Sequence, residues 1–343
     1  MFFASDNGSG AAPEIMAELA RANAGYSRGY GADGMTAGVV AQVRDVFEAP
    51  EAEVFLVTTG TAANALSIAL LSPPWGAIFA HEEAHAALDE CGAPEFYSAG
   101  AKMIGVAGPA GKITPGDLTA ALARVGENGV HGVQRGMLSL TNITEAGTVY
   151  TPAEVTALTA LAKARGLPCH MDGARFANAL VATGASPAAM TWAAGIDVLS
   201  LGGTKNGCLG VEAVVLFDPS KAWEFQLRRK RAGHLMSKHR FLAAQMAAYL
   251  RDGLWLSLAG QANAMGALLA QGLAQVPRAQ LLHPAPANML FAGFASGTNA
   301  RAEARGAIYY PAPAPDGREG ARLVASWSTT PADVDALIAA LMP

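Results

Sequence analysis

Short apolar runs alternate with segments of helical periodicity over the first two thirds of the chain. The apolar runs are continuous rather than alternating, and the segments between them place apolar residues three and four positions apart. This pattern is typical of a mostly parallel sheet that is covered by helices on both faces. The predicted strands lie at residues 54–57, 77–80, 102–106, 137–140, 167–171, 198–201 and 212–217.

The pattern changes after Pro219. Alanine- and leucine-rich helices are predicted from about Lys221 to Gln275, with breaks near two glycines, Gly233 and Gly253. Short strands follow at residues 288–294 and 322–327, and a last helix at 330–341. We therefore predict an α/β protein with three parts: an N-terminal arm and first helix (1–20), a large domain with a seven-stranded sheet (21–240) and a small α+β domain (241–343).

Composition narrows the class of protein. The 343 residues carry a net charge of −4, and no basic stretch is interleaved with aromatic residues, so nucleic acid is not an expected partner. No apolar run is long enough to cross a membrane, because proline, glycine or charge interrupts each one. The N-terminal residues lack the pattern of a signal peptide. We expect a soluble cytoplasmic protein without a disulfide framework, since the three cysteines are scattered.

Lys205 is the most informative single position. It follows the predicted strand at 198–201, and three glycines (Gly202, Gly203 and Gly207) let the backbone there turn sharply and approach a ligand. An amine on such a turn can bind a phosphate or form a Schiff base with a carbonyl group. The alternative is a solvated lysine on a surface loop.

Three further positions could bind a charged ligand. Gly60 opens a helix directly after the first predicted strand, where free amides can hold a phosphate. Asp172 ends another buried strand and needs a cationic partner, which could be Arg175 or a protonated ring nitrogen of a ligand. Arg322 in the small domain is either a charge on an edge strand or a clamp for a substrate carboxylate.

His85 is a candidate catalytic histidine, although a structural role is the more common one for a lone histidine. Together with His81 and two glutamates it could suggest a metal site, but this spacing does not match a zinc signature. The densest basic run, residues 228–231, is either the solvated end of a helix or a set of ligands for a phosphate or carboxylate.

One function accounts for these positions together. A phosphate site at Gly60, an acid at Asp172, a lysine at 205 and a carboxylate-binding arginine at 322 are the parts of a pyridoxal-phosphate enzyme that acts on an amino acid. In such an enzyme the acid keeps the pyridine nitrogen protonated, so that the ring accepts electrons from the bond being broken.

The motifs, taken in chain order, resemble those of the low-specificity L-threonine aldolases, which are fold-type-I pyridoxal-phosphate enzymes of the beta-eliminating lyase/threonine aldolase family. The resemblance extends from Ser5 to the strand of Arg322. It is carried by Ser5-Asp6, Tyr30-Gly31-Ala32-Asp33, Thr59-Gly60-Thr61-Ala62-Ala63-Asn64, His85 to Glu90, His170-Met171-Asp172-Gly173-Ala174-Arg175 and Thr204-Lys205-Asn206-Gly207.

The resemblance implies an aspartate-aminotransferase-like fold and a role for each matching residue. Lys205 would hold the cofactor, Asp172 would pair with its pyridine nitrogen, and His85 would stack on its ring and assist proton transfer at the substrate hydroxyl. The phosphate would be held by Gly60 and Thr61, joined by an arginine of residues 228–231. Thr204 and Arg175 complete the implied cofactor site.

On the substrate side, the resemblance implies that Ser5, Arg175 and Arg322 orient the carboxylate of the amino acid. Family members are homotetramers with sites at a dimer interface, so Tyr30 and His131 would come from, or lie beside, a neighbouring subunit. The implied reaction cleaves threonine, allo-threonine or a related β-hydroxy-α-amino acid to glycine and an aldehyde, with His85 or a bound water as the base.

The chain departs from the family pattern in residues 232–239, at Thr141, where the family has glutamate, and at Asn7, where threonine is common. These changes concern the side-chain pocket, so phenylserine stands beside threonine as a candidate substrate. Three alternatives stay open. Two use the same cofactor for β-elimination or for transamination, and the third is a non-catalytic phosphate- or nucleotide-binding α/β protein.

Overall fold

The computed structural model describes residues 1–126 and 128–343 of the chain. Within them, a seven-stranded sheet has the strand order β1-β7-β6-β5-β4-β2-β3. Neighbouring strands from β3 to β6 are parallel, whereas β7 runs antiparallel to both β6 and β1. The predicted mostly parallel sheet is confirmed. The strands are β1 (Glu53–Val57), β2 (Gly76–His81), β3 (Lys102–Val106), β4 (Gln134–Thr141), β5 (Cys169–Gly173), β6 (Val198–Gly202) and β7 (Glu212–Leu216).

Helices cover the sheet, and several begin at side-chain caps that the sequence provides. Asp33 and Thr59 each accept a backbone N–H in the first turn of the helix that follows, and Thr151 forms a capping box with Glu154. The helices up to the end of the sheet are α1 (Pro13–Ala22), α2 (Gly34–Val46), α3 (Gly60–Leu71), α4 (His85–Leu88), α5 (Ala93–Tyr97), α6 (Pro115–Ala123), α7 (Pro152–Lys163), α8 (Phe176–Thr183) and α9 (Pro187–Met190).

Successive residues of the central strands enter hydrophobic cores on opposite faces of the sheet. In β6, Leu199 joins a core with α7 and α8, whereas Val198 faces a second core that contains α3. The same alternation separates Phe79 from Ile78 in β2. Because both faces are buried, these strands are apolar throughout, which is why they were recognisable as continuous apolar runs.

The predicted helical stretch after Pro219 is divided into three helices: α10 (Ala222–Arg231), α11 (Arg240–Leu250) and α12 (Leu254–Leu273). Gly233 and Gly253 lie at the two breaks with positive φ angles of 78° and 71°, a backbone conformation that favours glycine. The predicted break positions are therefore confirmed.

A four-stranded antiparallel sheet of order β10-β11-β9-β8 follows in the described C-terminal residues. The strand of Arg322 begins at Glu319 rather than at Arg322, because Gly320 and Ala321 continue the ladder although they carry no large apolar side chain. The elements are β8 (Gln280–Leu281), β9 (Met289–Phe294), α13 (Thr298–Ala304), β10 (Tyr310–Ala312), β11 (Glu319–Val324) and α14 (Pro331–Leu341).

The small sheet has a hydrophobic core of its own, to which Leu269, Leu323 and Leu337 belong. Phe3, near the chain start, is buried in this core, whereas Trp255 at the start of α12 belongs to the core of the large sheet. The domain boundaries at residues 20 and 240 stay predictions. None of the helices in the described ranges combines the length and the apolar character needed to cross a membrane.

Candidate functional site

The carboxyl ends of β4, β5 and β6 open into a cavity of about 700 Å³ between the large sheet and the small domain. Ser5, His85, Arg175, Lys205 and Arg322 line it. A smaller adjoining pocket shares three of these residues and adds two further predicted ones, Gly60 and Asp172. The structure thus brings together seven of the residues that the sequence singled out, from six separate parts of the chain.

Lys205 lies on a short turn directly after β6. Its amine makes no hydrogen bond or ion pair with any residue in the described ranges. The turn itself is held firmly by the next residue, since the Asn206 amide donates to the Tyr249 hydroxyl and to the Trp255 carbonyl, both at 2.8 Å. The Tyr249 hydroxyl donates in turn to the Gly202 carbonyl at 3.1 Å. A free amine on an anchored turn is suited to bonding a ligand.

Asp172 is a buried carboxylate at the end of β5 that has only neutral hydrogen-bond donors. Its Oδ1 accepts the Ala174 N–H at 3.0 Å and its Oδ2 accepts the Asn64 amide at 2.9 Å. It has no ion pair within the described residues, and Arg175, the alternative partner, is paired with Asp6 instead. A buried carboxylate without a cation favours a ligand that brings a positive charge.

His85 belongs to a hydrogen-bonded chain that ends at Asp172. Its Nδ1 lies 3.0 Å from Oε1 of Glu90, and the same oxygen accepts the Asn64 amide at 2.9 Å. The hydrogen bond to Glu90 raises the pKa of His85, against burial and the charge of Lys205, which lower it. Burial raises the pKa of Glu90. Glu90 thus orients the His85 ring and makes it more basic.

Sequence reasoning assigned no role to Asn64 or Glu90, although both belong to the quoted motifs. Asn64 lies one helical turn after Gly60, so the two share a face of α3, and this spacing could have indicated that Asn64 reaches the site. Glu90 follows the end of α4, and no spacing rule predicts its contact with His85.

Arg175 uses part of its guanidinium to hold the N-terminal arm. Its Nε and Nη2 donate to the two carboxylate oxygens of Asp6 at 2.7 and 2.8 Å, and Asn288 donates to Asp6 at 3.2 Å. Burial alone would raise the pKa of Asp6, but the charge and hydrogen bonds of Arg175, together with the Lys205 charge and the Asn288 hydrogen bond, keep that pKa below its ordinary value. Nη1 of Arg175 makes no hydrogen bond within the described residues, and Arg175 lines both pockets.

Arg322 reaches the same cavity from β11. Its Nη1 donates to the Ala4 carbonyl at 3.2 Å, and its Nε contacts the Met289 sulfur at 3.3 Å. Burial and the nearby positive charge of Arg175 lower the pKa of Arg322. Two guanidinium groups that repel each other across a cavity create a favourable place for an anionic ligand such as a carboxylate.

The N-terminus of α3 offers an anion site beside these groups. The Thr59 hydroxyl accepts the Ala62 N–H at 3.1 Å, which leaves the Gly60 and Thr61 amides without partners inside the helix. Apart from its chain neighbours and the backbone of its own helix, no heavy atom of the described residues lies within 4 Å of the position that a Cβ on Gly60 would take, so there is open space beside Gly60. The geometry fits a phosphate at the helix start.

Within the basic run 228–231, Arg229 is buried whereas Arg228 is not. Arg228 pairs with Glu224 on the surface of α10. Arg229 packs against β1, where it donates to the Leu56 carbonyl at 3.3 Å, and its Nε has no partner in the described structure. Burial lowers the pKa of Arg229 to about 10. A buried guanidinium with no acid to neutralise it favours an anionic ligand.

Four predicted site residues lie outside the linings of the two pockets. Thr61 is in the first turn of α3, next to Gly60. Thr204 is next to Lys205, and its hydroxyl accepts the Val211 N–H at 3.2 Å. Tyr30 is exposed; its N–H donates to the Ser237 carbonyl at 3.0 Å, and the Lys230 amine lies 4.8 Å from the centre of its ring. His131 is exposed on a short turn after α6.

The sequence model of the beta-eliminating lyase family matches residues 3–295. The chain belongs to the beta-eliminating lyase family. Among members with an assigned function, it is similar to a low specificity L-threonine aldolase of Pseudomonas aeruginosa, with 43% identity over 95% of this chain and 93% of that one. It is 41% identical to another low specificity L-threonine aldolase, from Pseudomonas sp., over 98% of this chain and 96% of the relative.

The fold of this beta-eliminating lyase family member also matches a solved structure. The Leishmania major threonine aldolase superposes with a TM-score of 0.93 at 29% identity, over 99% of this chain and 98% of that chain. The similarity therefore covers the large sheet, the small domain and the site between them.

Proposed function

We propose that this chain is a pyridoxal-phosphate-dependent aldolase, which cleaves L-threonine, L-allo-threonine or a related β-hydroxy-α-amino acid to glycine and an aldehyde. The proposal rests on two side chains that line the same pocket. Within the described residues, the Lys205 amine makes no hydrogen bond or ion pair, and the buried Asp172 carboxylate has no ion pair and accepts hydrogen bonds from neutral donors. The named relatives are threonine aldolases, which supports the choice of reaction.

The residues of the site complement both charged groups of the cofactor, its pyridinium nitrogen and its phosphate. Asp172 would neutralise the pyridinium nitrogen, and Lys205 would bond the aldehyde carbon. The Gly60 and Thr61 amides would hold the phosphate, with Arg229 as the member of the basic run that is buried without an acid. When bound, pyridoxal phosphate supplies an electron-accepting ring that stabilises the charge left on Cα as the Cα–Cβ bond breaks.

The residues of the chain would orient the substrate and move its proton. Arg322 and Nη1 of Arg175 would bind the carboxylate, with Ser5 beside them. Holding the carboxylate fixes which bond of Cα is aligned for cleavage, and this alignment selects Cα–Cβ cleavage over other reactions of the same cofactor. His85, oriented by Glu90, would take the proton of the β-hydroxyl directly or through a water.

The proposal includes a cytoplasmic homotetramer with sites at a dimer interface. Tyr30 and His131 lie on the surface and do not line the described pockets of their own chain, which is consistent with their contributing to the site of a neighbouring subunit. Phenylserine is a candidate substrate beside threonine, because the cavity of about 700 Å³ includes apolar residues such as Leu282 and Phe291.

Purified protein loaded with pyridoxal phosphate should convert L-threonine, L-allo-threonine or phenylserine to glycine and the matching aldehyde. Product analysis separates the alternatives, because β-elimination and transamination do not release glycine with an aldehyde. Ammonia and a keto acid as the products would contradict the aldolase assignment while leaving the cofactor in place.

Lys205→Ala is the matched test of the cofactor site. It should abolish the lysine-dependent visible absorbance of the bound cofactor and the release of glycine, since no other amine lines the smaller pocket in the described structure. A Lys205→Ala protein with unchanged absorbance and activity would overturn the proposed function.

A further inference from the structure

Glu212 is a buried acid beside the Lys205 turn, and the proposed reaction does not use it. It opens β7, where it pairs with Gly202 at the end of β6, and it is 6% exposed. Its Oε2 accepts the Gly203 N–H at 2.9 Å. Hydrogen bonding with Thr204 also lowers the pKa of this carboxyl group. Glu212 therefore holds the residues that lead into Lys205.

Few titratable groups interact with the Glu212 carboxylate. It forms no ion pair within the described residues, and Lys205 is the positive group that acts on it. Two other titratable groups face it, Cys208 of the same turn and Tyr249 of α11. Burial raises the pKa of both groups well above their ordinary values, so both are neutral near pH 7.

Other acids also lie near Lys205. Glu90 and Glu145 line the smaller pocket with it, where Glu90 is hydrogen-bonded to His85 and the charge of Glu145 acts on Arg175 and Arg322. Asp6 is paired with Arg175, and Asp172 is assigned to the pyridinium nitrogen in the proposed function. His85, on the opposite side, contributes repulsion when it is protonated. Glu212 differs from these acids because its carboxylate holds the backbone that leads into Lys205, through the Gly203 N–H.

We propose that Glu212 is a positioning residue for Lys205: it holds the turn through Gly203 and Thr204 and supplies the negative charge that stabilises the protonated Lys205 nitrogen. The inference rests on the proposed function, in which that nitrogen bonds the cofactor. Burial raises the pKa of Glu212 to about 7, against its hydrogen bonds and the Lys205 charge, which lower it. Glu212 therefore changes its protonation state near neutral pH, within the influence of the Lys205 charge.

Glu212→Gln separates the charge from the hydrogen bond, because the glutamine oxygen can still accept the Gly203 N–H. The measurement is the pH titration of the visible absorbance of the bound cofactor, which reports the protonation of the Lys205 nitrogen. The transition should move to lower pH by about one unit in Glu212→Gln, since loss of a nearby negative charge disfavours the cation. Glu18→Gln is the matched control: it neutralises a buried acid that pairs with Arg251, far from Lys205 in the chain, and should not move the transition.

A titration that is the same in Glu212→Gln and wild type would overturn the inference, because hydrogen bonding alone would then account for Glu212. This outcome differs from failure of the proposed function, in which the wild-type protein itself would lack the cofactor's visible absorbance.

Thermal unfolding of the cofactor-free proteins gives a second measurement. The pKa of Glu212 is higher in the folded than in the unfolded chain, so the folded protein binds more protons over this range. Wild-type stability should then fall as pH rises from about 5 to about 7. Glu212→Gln lacks this loss, so its Tm should rise relative to that of wild type as pH increases. Parallel Tm curves would contradict a titrating Glu212 and overturn the inference.

Discussion

Asp6 and Arg175 form a buried ion pair in which the guanidinium holds both carboxylate oxygens, at 2.7 and 2.8 Å. The two residues are 169 positions apart. The pair fastens the N-terminal arm to the turn after β5 and fixes the direction of the remaining nitrogen of Arg175. In the proposed function, the position of the arm and the binding of the substrate carboxylate would therefore depend on the same contact.

Asp6→Asn should destabilise the protein strongly. The change leaves the Arg175 charge without a partner at a site where both side chains are at least 95% buried, and breaking such a pair costs about 3–5 kcal/mol. Urea unfolding measures the loss, and the exposed Asp335→Asn is the control that should change stability little. A loss no larger than that of the control would show that Arg175 does not need Asp6.

Glu90→Gln should move the pH dependence of activity. The hydrogen bond to Glu90 raises the pKa of His85, so removing the carboxylate should lower that pKa. If His85 must be deprotonated to act as a base, kcat/KM falls as pH drops through its pKa, and the acidic limb of the profile should shift to lower pH in the variant.

The control for this profile is Glu82→Gln, which neutralises an exposed acid three positions before His85. The pKa of the His85 ring can also be followed by NMR, independently of turnover. An acidic limb that does not move in Glu90→Gln, together with an unchanged ring pKa, would contradict the assigned role of Glu90.

Arg229→Ala should weaken cofactor binding through the phosphate. A charge-assisted hydrogen bond of this kind is worth about 1.5–3 kcal/mol, so the Kd for pyridoxal phosphate should rise about tenfold or more. Arg228→Ala, which removes a surface arginine paired with Glu224, is the matched control. Affinity for pyridoxal, which lacks the phosphate, should be the same in both variants. An equal loss for pyridoxal and pyridoxal phosphate in Arg229→Ala would show a packing defect instead.

Much of the fold and the centre of the site could be predicted because their signals are local. The central strands are buried on both faces and therefore read as continuous apolar runs. Asp172 lies at the end of one such strand and Lys205 follows another. Because the carboxyl ends of parallel strands meet at one edge of the sheet, their proximity followed from the pattern.

The residues that hold these groups in place could not be predicted, because their partners are distant in sequence. The role of Asn206 depends on Tyr249, 43 positions away, and that of Asp6 on Arg175. In the sequence, Arg229 could not be distinguished from the other basic residues at the end of its helix. Its burial depends on how α10 packs on β1. Such contacts depend on tertiary packing, which cannot be deduced from the spacing of residues along the chain.

Asn206→Ala should loosen the Lys205 turn without touching the amine itself. The Tyr249 hydroxyl and the Trp255 carbonyl would lose their donor in a buried setting, at a cost of about 1–3 kcal/mol. Hydrogen exchange of residues 203–207 should become faster, whereas Asn263→Ala, which removes an amide paired with Asn178, should leave it unchanged. Because Asn206 and Tyr249 share one hydrogen bond, their single-variant stability losses should not add in the double variant with Tyr249→Phe. Additive losses with unchanged exchange at the turn would mean that Lys205 is positioned by its strand alone.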